Sequence, residues 1–449
     1  GSAFQRLRLA PGEDVPAALA ALRADPAVAA ADPNYLNYRF YTPTDPQFAN
    51  QWGLPRIDAP AAWDITKGAT VVIAIIDDGL HLPHPDISGN LEVTSGYSPS
   101  GTNGYDFAVG DVNPEPGSQT PPCTWLDVSH GTHVAGLAAA VENNGVGGVG
   151  VAFDATVLSL KVFPDACDSG ASDADIIEAI NYAGANGVDV ANLSLGRNGP
   201  ISESMRLALA DAIANGTLFV VAAGNAGENN DLIPVWPANY AKEPGTEGGV
   251  ISVAASDPAD QRAYFSNFGP TTVTLAAPGV NMLSTVRNND GSYGYTYFTG
   301  TSMAAPMVAG VAALLKAAEP SLTPAQIKAR LVATGDAAPG AGCYTASGKR
   351  VNAYNALTNS TTPTPCAVLS VLASEGSSVC LITHLTQGVL PREALEPLRD
   401  LREFLWQRGG WGRALVRAYY RGSTAIIGAL RAARARQALA AAHGSTGTI

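Results

Sequence analysis

The chain has 449 residues, 46% of them hydrophobic and only 15% charged, with 47 Gly and 31 Pro. This composition excludes a coiled coil, a collagen or a disordered chain, and fits a loop-rich globular protein with room for one large domain and extra segments. The net charge of −12 leaves no broad basic surface for a phosphate backbone, so nucleic acid is not an expected partner.

In chain order, the opening GSAFQRLRLA has no positive-then-apolar signal pattern, and the chain as given is expected to be trimmed at its start. Uninterrupted apolar runs stay short of the roughly 18 residues of a spanning helix. Residues 1–40, with PGEDVPAALAALRADPAVAAADPNY, read as a charged strand, an Ala-rich helix and a second extended piece. That segment is too small to fold alone and is expected to pack on something else. From about 68 to 335 short β-branched runs alternate with helical patterns. Strands are expected at 71–77, 156–162, 188–193, 218–223, 250–254 and 273–276, and helices at 173–184 and 202–215. The rhythm predicts an α/β fold in three layers, a mostly parallel central sheet with helices on both faces. NSTTPTPC at 359–366 opens a Pro/Thr linker running to 379, and 380–449 form an Arg-rich helical extension. From Leu381 onward that extension holds ten Arg, no Lys and four acids.

In such a sheet chemistry belongs at the carboxyl ends of the strands. There stand Asp77 after the first strand, Ser194-Leu195-Gly196 after the third and Gly224-Asn225 after the fourth. Three segments carry the catalytic pattern: IAIIDDG at 73–79, HGTHVAG at 130–136 and GTSMAAP at 300–306. A serine hydroxyl is a weak nucleophile near neutral pH and needs a base, which in turn needs a carboxylate to fix its tautomer. Asp77, His130 and Ser302 supply those groups in the order Asp, His, Ser. Ser302 precedes a long Ala/Val/Leu helix, whose N-terminus favours developing negative charge. Asn225, closing VVAAGN, offers a side-chain amide as second oxyanion donor.

With these motifs the chain resembles the subtilisin-like serine proteases over about residues 41–358, and YTPTDP, QWGL and AAWDI are similar to their thermitase-like bacterial group. The resemblance implies a subtilisin-like fold and a secreted endopeptidase, expected to be a monomer, acting on proteins and peptides. In it Asp77 is the orienting carboxylate, His130 rather than His133 the base, Ser302 the nucleophile and Asn225 the oxyanion donor. By position Ser194, Leu195, Gly196 and Ser169, Gly170, Ala171 resemble the two edges that hold an extended substrate, and Ala223 and Gly224 a pocket wall. Glu228 and Asp231 are read as a solvated acidic loop in preference to selectors of basic side chains. The implied structural ion is Ca2+, held by Asp45, Asp86 and Asn144 with the carbonyls of Glu142, Val146 and Gly148; Gln47 is an alternative to Asp45, and a plain turn is the alternative for Asn144. His81, His84, His130 and His133 invite a zinc site, but no HExxH pattern is present and zinc is disfavoured.

Asp78 departs from the Thr or Ser of many bacterial members; DDG is similar to the kexin-like branch, and HGTHVAG is not. Residues 1–40 resemble the later half of an inhibitory propeptide, with self-cleavage expected near Phe40 and Tyr41 and the released piece first occupying the cleft. Permanent docking is the alternative. Five cysteines without CxxC spacing favour isolated disulfides in an oxidising compartment over buried thiols. Cys123–Cys167 is the first expected pair and Cys343–Cys366 the second, leaving Cys380 free. The tail from Cys380 weakly resembles a small helical module of exported proteins; contact of Arg413, Arg417, Tyr420 and Arg421 with anionic lipid or the acidic catalytic domain is weighed equally with a solvated amphipathic helix. Two competing functions are a catalytically silent binding protein of the same fold and a narrow kexin-like processing protease.

Overall fold

The computed structural model describes residues 7–9, 14–32, 41–93, 103–117, 124, 128–165, 169–338 and 344–361. All five cysteines and the C-terminal extension lie outside the described residues, and so do the disulfide and tail expectations. The chain divides into two compact units, Gly1–Thr42 and Pro43–Ile449.

In the first unit the expected Ala-rich helix is α1, Val15–Ala24, capped by the Asp14 carboxylate, which accepts from Ala17 N (3.2 Å), and carrying Pro16 in its first turn. Arg23 ties the return segment to it, donating to Ala31 O (2.8 Å) and Asp32 (3.2 Å). Residues 7–9, within the expected charged strand, have no strand pairing.

The second unit is built on β1 (Val72–Asp77), β2 (Gly104–Asp106), α2 (His130–Ala139), β3 (Thr156–Lys161), α3 (Asp173–Ala185), β4 (Val190–Leu193), α4 (Glu203–Ala214), β5 (Leu218–Ala222), β6 (Val250–Ser256), β7 (Leu275–Pro278), β8 (Met282–Arg287), β9 (Tyr293–Phe298), α5 (Thr301–Ala318) and α6 (Pro324–Thr334). Among the described residues one nine-stranded sheet runs Asp336–Ala337, Lys349–Arg350, β7, β6, β5, β4, β1, β3, β2. Every neighbouring pair is parallel except the first. The expected strands and both helices are present within a few residues. α3 and α4 begin where Ser172 and Ser202 accept from Asp175 N (3.1 Å) and Met205 N (3.3 Å).

Because side chains alternate across a strand, Ala74 and Ile76 share one face with Leu158, Leu160, Ala191, Leu193, Phe219 and Val221. That face packs on Ile176, Ala179, Ile180 and Ala183 of α3 and on Met205, Leu209 and Ala212 of α4. The opposite face, with Ile73 and Ile75, is covered by α2 and α5, the latter lying across β4, β5, β6 and β7. Cutting Leu160, which has no exposed surface, back to alanine is expected to cost about 2–5 kcal/mol. By length and hydropathy α5 passes for a membrane-spanning helix, although Thr301, Ser302 and Lys316 interrupt its apolar run. Its apolarity serves the core, since every residue from Thr301 to Leu315 is buried. An antiparallel hairpin, β8 with β9, was not among the expected elements.

Polar ties close the unit across its length. Asp260 receives both Arg56 (2.5 Å) and Arg350 (2.9 Å), Arg350 also reaches Asp336 (2.8 Å), and Asn352 Nδ2 donates to Asp58 (2.6 Å) and Asp336 (2.8 Å). The sheet order sets the place for chemistry. β1 is followed by β3 on one side, while β4, β5, β6 and β7 extend on the other, so the direction of winding reverses between β1 and β4, and ligands bind outside the strand ends at such a reversal.

Candidate active site

Asp77 ends β1 with 2% of its side chain exposed, and its Oδ1 lies 2.8 Å from His130 Nδ1 and accepts from Asp78 N (2.9 Å). Its other oxygen is buried with no hydrogen-bond partner among the described residues. His130 is the first residue of α2, with about a third of its side chain open to solvent. Burial alone would lower this imidazole's pKa; the charge and hydrogen bond of Asp77 and the charge of Asp78 outweigh it and raise the group to about 9. His133, one turn on, is held down at about 3 by burial and presents Nε2 to Thr296 O (3.2 Å). It therefore faces β9, not Asp77.

Ser302 is the second residue of α5 and largely buried. Its Oγ donates to Ser194 O (3.2 Å), and Ser194 Oγ in turn donates to Ser302 O (2.8 Å). The nucleophile candidate thus rests on the strand-end carbonyl beyond β4, and the bond to His130 that base catalysis requires is not formed in this state; such bonds are commonly long until substrate is bound. Asn225, exposed beyond β5, has its orientation fixed by Thr301, whose N (2.8 Å) and Oγ1 (2.9 Å) both donate to Asn225 Oδ1. With the oxygen occupied, Nδ2 is the end left to donate outward. A Cβ built on Gly300 would lie 3.4 Å from Asn225 Nδ2 and 3.6 Å from Ser302 N, so these two N–H groups converge beside the bare Cα of Gly300. The sequence reading missed the orienting role of Thr301; its place inside GTSMAAP is the signal that was there to use.

Of the expected substrate edges, Gly196 is exposed and leads into the pair Arg197–Asn198 with Val235–Trp236; Leu195 is half-buried. Ser169 and Gly170 are exposed, with none of the described residues near a Cβ at Gly170, and Ala171 is half-buried. Gly224 is half-buried, whereas Ala223 is fully buried and packs with Ala254, Val273, Ala276 and Tyr344. The 224–239 loop is held by amides that carry no sequence signature. Asn267 Oδ1 accepts from Ala226 N and Glu228 N, Asn230 donates to Ala223 O, and Asn239 donates to Asn230 O. Asp231 accepts from Thr271 N, Thr272 N and Thr272 Oγ1 (2.6 Å), so its carboxylate anchors a neighbouring loop.

Among the described residues no group of three or more His, Cys, Asp or Glu is placed to hold a metal, so a cation site must draw on amide and carbonyl oxygens. Asp45 Oδ2 accepts from Asn143 N (2.8 Å) and Asp86 Oδ1 from Asn144 Nδ2 (2.6 Å). Among the described residues Asp45 Oδ1 and Asp86 Oδ2 are buried without a partner in good geometry. Burial raises the Asp86 carboxyl to about 6 against the pull of Asn144 and Tyr295, and the charge of Asp45 adds to the rise. Two buried carboxylates whose charges act on one another, each with an oxygen outside good hydrogen-bond geometry, are the kind of donors a hard cation takes. The Glu142 carboxylate faces Lys67 (2.8 Å), leaving its carbonyl; Asn144 Oδ1 accepts from Val146 N (3.1 Å), and Gly148 is buried beside Gln51. Gln47 Oε1 is taken by Asn50 (2.7 Å). His84 Nδ1 accepts from Asp86 N (3.1 Å) and supports that carboxylate's backbone.

A parallel sheet reversing at β1, with an Asp–His pair at one strand end and a helix-borne serine beside an amide at the next two, is the framework of a serine endopeptidase using an Asp/His/Ser triad. The profile of the S8 peptidases, the subtilase family, matches residues 68–359, and the chain belongs to that family. It is 39% identical to thermitase of Thermoactinomyces vulgaris over 319 residues, 71% of this chain and 99% of that protein. It is 36% identical to an extracellular protease of Xanthomonas campestris over 350 residues, 71% of this chain and 57% of that one. Its fold is similar to a protease from Pseudoalteromonas arctica, with a TM-score of 0.61, 34% identity and coverage of 71% and 99% of the two chains.

Proposed function

We propose that Ser302, His130, Asp77 and Asn225 are the working groups of this endopeptidase. Ser302 Oγ attacks the peptide carbonyl, His130 takes its proton and returns it to the leaving amine, and Asp77 holds the imidazole through Nδ1. Asn225 Nδ2 and Ser302 N receive the oxyanion, and water then hydrolyses the acyl-enzyme. The observation that carries this reading is the convergence of those two donors beside Gly300, next to the serine. Substrate is read as an extended strand between 194–196 and 169–171, with Gly224 facing the pocket.

Asp45, Asp86, Asn144 and the carbonyls of Glu142, Val146 and Gly148 are the groups that would hold Ca2+, which when bound supplies stability to the 45–47 and 142–148 loops and no chemistry. The two orphaned oxygens support it. Secretion is supported by the name of the Xanthomonas relative. Residues 1–40 are read as the remainder of a self-cleaved inhibitory propeptide, 41–358 as the catalytic domain, 359–379 as a linker and 380–449 as an added extension.

A fluorophosphonate label followed by peptide mapping, beside casein digestion and a Ser302→Ala control, tests the assignment. A tag on Ser302 with digestion lost in the control is expected. A folded, correctly processed chain that takes no tag and digests nothing would instead be the silent binding protein.

A further inference from the structure

A helix leaves its first backbone N–H groups without intrahelical partners, and the preceding residue ordinarily supplies an oxygen. At α2 it does not. Ser129 stands in that position, but its side chain makes no cap; its hydroxyl donates to Arg287 O (3.1 Å) and accepts from Arg287 N (3.0 Å), tying the helix start to β8. The first two amides of α2 are met from another element. Asp78 Oδ2 accepts from His130 N (3.1 Å) and Asp78 Oδ1 from Gly131 N (2.7 Å). The approach is close enough that a Cβ on Gly131 would lie 2.5 Å from Gly79 O and 2.8 Å from Asp78 Oδ1, so only glycine lets the helix sit on this carboxylate.

The consequence concerns the imidazole at the first position of that helix. An uncapped N-terminus carries a partial positive charge that opposes an imidazolium. A carboxylate on the same two amides cancels that charge and adds a negative one, without touching the imidazole ring nitrogens in the way that Asp77 does. Both oxygens of Asp78 are turned to the helix backbone, which sets it apart from a residue aimed at substrate. Resting on the reading of His130 as the base, we propose that Asp78 is a positioning residue for the known reaction: it fixes the start of the helix carrying His130 and supplies the charge against which the imidazolium forms during acyl transfer.

The other groups around His130 do not compete for this role. Asp77 acts from the end of β1. His133 on the same helix is kept neutral by burial, and His81, whose backbone donates to Thr132 Oγ1 (2.9 Å), is lowered to about 4 by burial and by Arg287 on β8. Burial raises Asp78 to about 7, with the charge of Asp77 adding and His130 and the two amides opposing, so Asp78 carries its charge in the alkaline range where His130 titrates.

The test is the pH profile of kcat/KM on a peptide anilide at fixed ionic strength, for the parent chain, Asp78→Asn and Asp78→Ser, with Ser302 labelling and thermal melting of each. Neutral His130 is the active form, so activity is lost as pH falls through its folded pKa. In the parent chain the midpoint is expected well above the ordinary imidazole value of about 6.5. Removing one negative charge at this range should lower the midpoint by about one unit, with KM held and Ser302 still labelled. Asp78→Ser keeps a small acceptor without the charge, and should shift the midpoint equally even if Asp78→Asn does not fold. Variants that melt earlier yet keep the parent midpoint would show a purely structural cap and overturn the inference, as would a parent midpoint at or below about 6.5. Failure to label Ser302 in the parent at any pH would instead overturn the catalytic reading beneath it.

Discussion

Replacing Gly300 by alanine adds one methyl group at the point where the proposed oxyanion would sit. The residue has φ 169°, extended backbone open to alanine, and the new Cβ would lie no closer than 3.4 Å to any atom outside its chain neighbours Thr299 and Thr301. The variant should therefore fold and melt like the parent. Its two nearest polar neighbours are Asn225 Nδ2 and Ser302 N, at 3.4 and 3.6 Å, and an oxyanion needs the same two donors at about 2.7–3.1 Å. Methyl and oxyanion compete for one space. Losing one such donor costs about 2.7–4 kcal/mol, or about 10²–10³ in kcat, a magnitude that comes from subtilisin itself, a member of this family. We expect a fall in kcat of that order for Gly300→Ala on a peptide anilide, KM within a factor of about three and an unchanged melting temperature, because the loss falls on the transition state alone. Asn225→Ala should give a similar loss, and the double variant little more than either, since both changes disable one interaction. Full activity in Gly300→Ala, or a raised KM with kcat intact, would refute the placement of the oxyanion.

Other outcomes follow from the same geometry. Asp77→Asn removes the acceptor at 2.8 Å from His130 Nδ1 and should lower kcat by about 10⁴ with little change in KM, read by steady-state kinetics. Calcium chelation should lower the melting temperature reversibly, by the equivalent of about 2.7 kcal/mol when free calcium had stood at 100 times Kd; Asp86→Asn should melt alike with and without chelator, and a parent chain indifferent to the chelator would remove the ion from the account. Asp231→Ala breaks the ties to Thr271 and Thr272 and should destabilise by about 1–3 kcal/mol in denaturant unfolding, while a peptide library shows no change in preference for basic residues.

What the sequence discloses and what it hides divide along physical lines. The strands were legible because buried parallel strands are runs of β-branched residues, as VVIAIID shows, and α3 and α4 because apolar residues recur at helical spacing in runs that end near Gly or Asn. Asp77 and Asn225 stood out at strand ends, Ser302 before a long helix, and His130 through the HGTHVAG segment. The polar scaffold around them was not legible. Thr301 orients Asn225 across 76 residues and Asn267 holds Ala226 across 41, and single amides and hydroxyls at such separations leave no periodicity to read. The hairpin of β8 and β9 was missed although NNDGS lies between its strands, because DG was not weighed as a turn. Asp78 was noticed as a departure from the family pattern; its two bonds to the start of α2 emerge only once β1 and the helix meet.

The ties between Arg56, Asp58, Asp260, Arg350 and Asn352 bear on how the molecule comes into being. Asp58 and Asn352 are 294 positions apart, and β1 pairs with strands whose residues lie far downstream, Val72 with Thr156 and Ile73 with Val190. A topology so dominated by distant pairings folds slowly, since loop closure must precede the contacts that reward it. β1 cannot gain both of its neighbours until the chain has been made through Leu193, and the clasp at Asn352 comes later still. For a protease this has a particular edge: wherever an opened molecule is cut by its neighbours faster than it can close again, lifetime is governed by the rate of unfolding rather than by equilibrium stability.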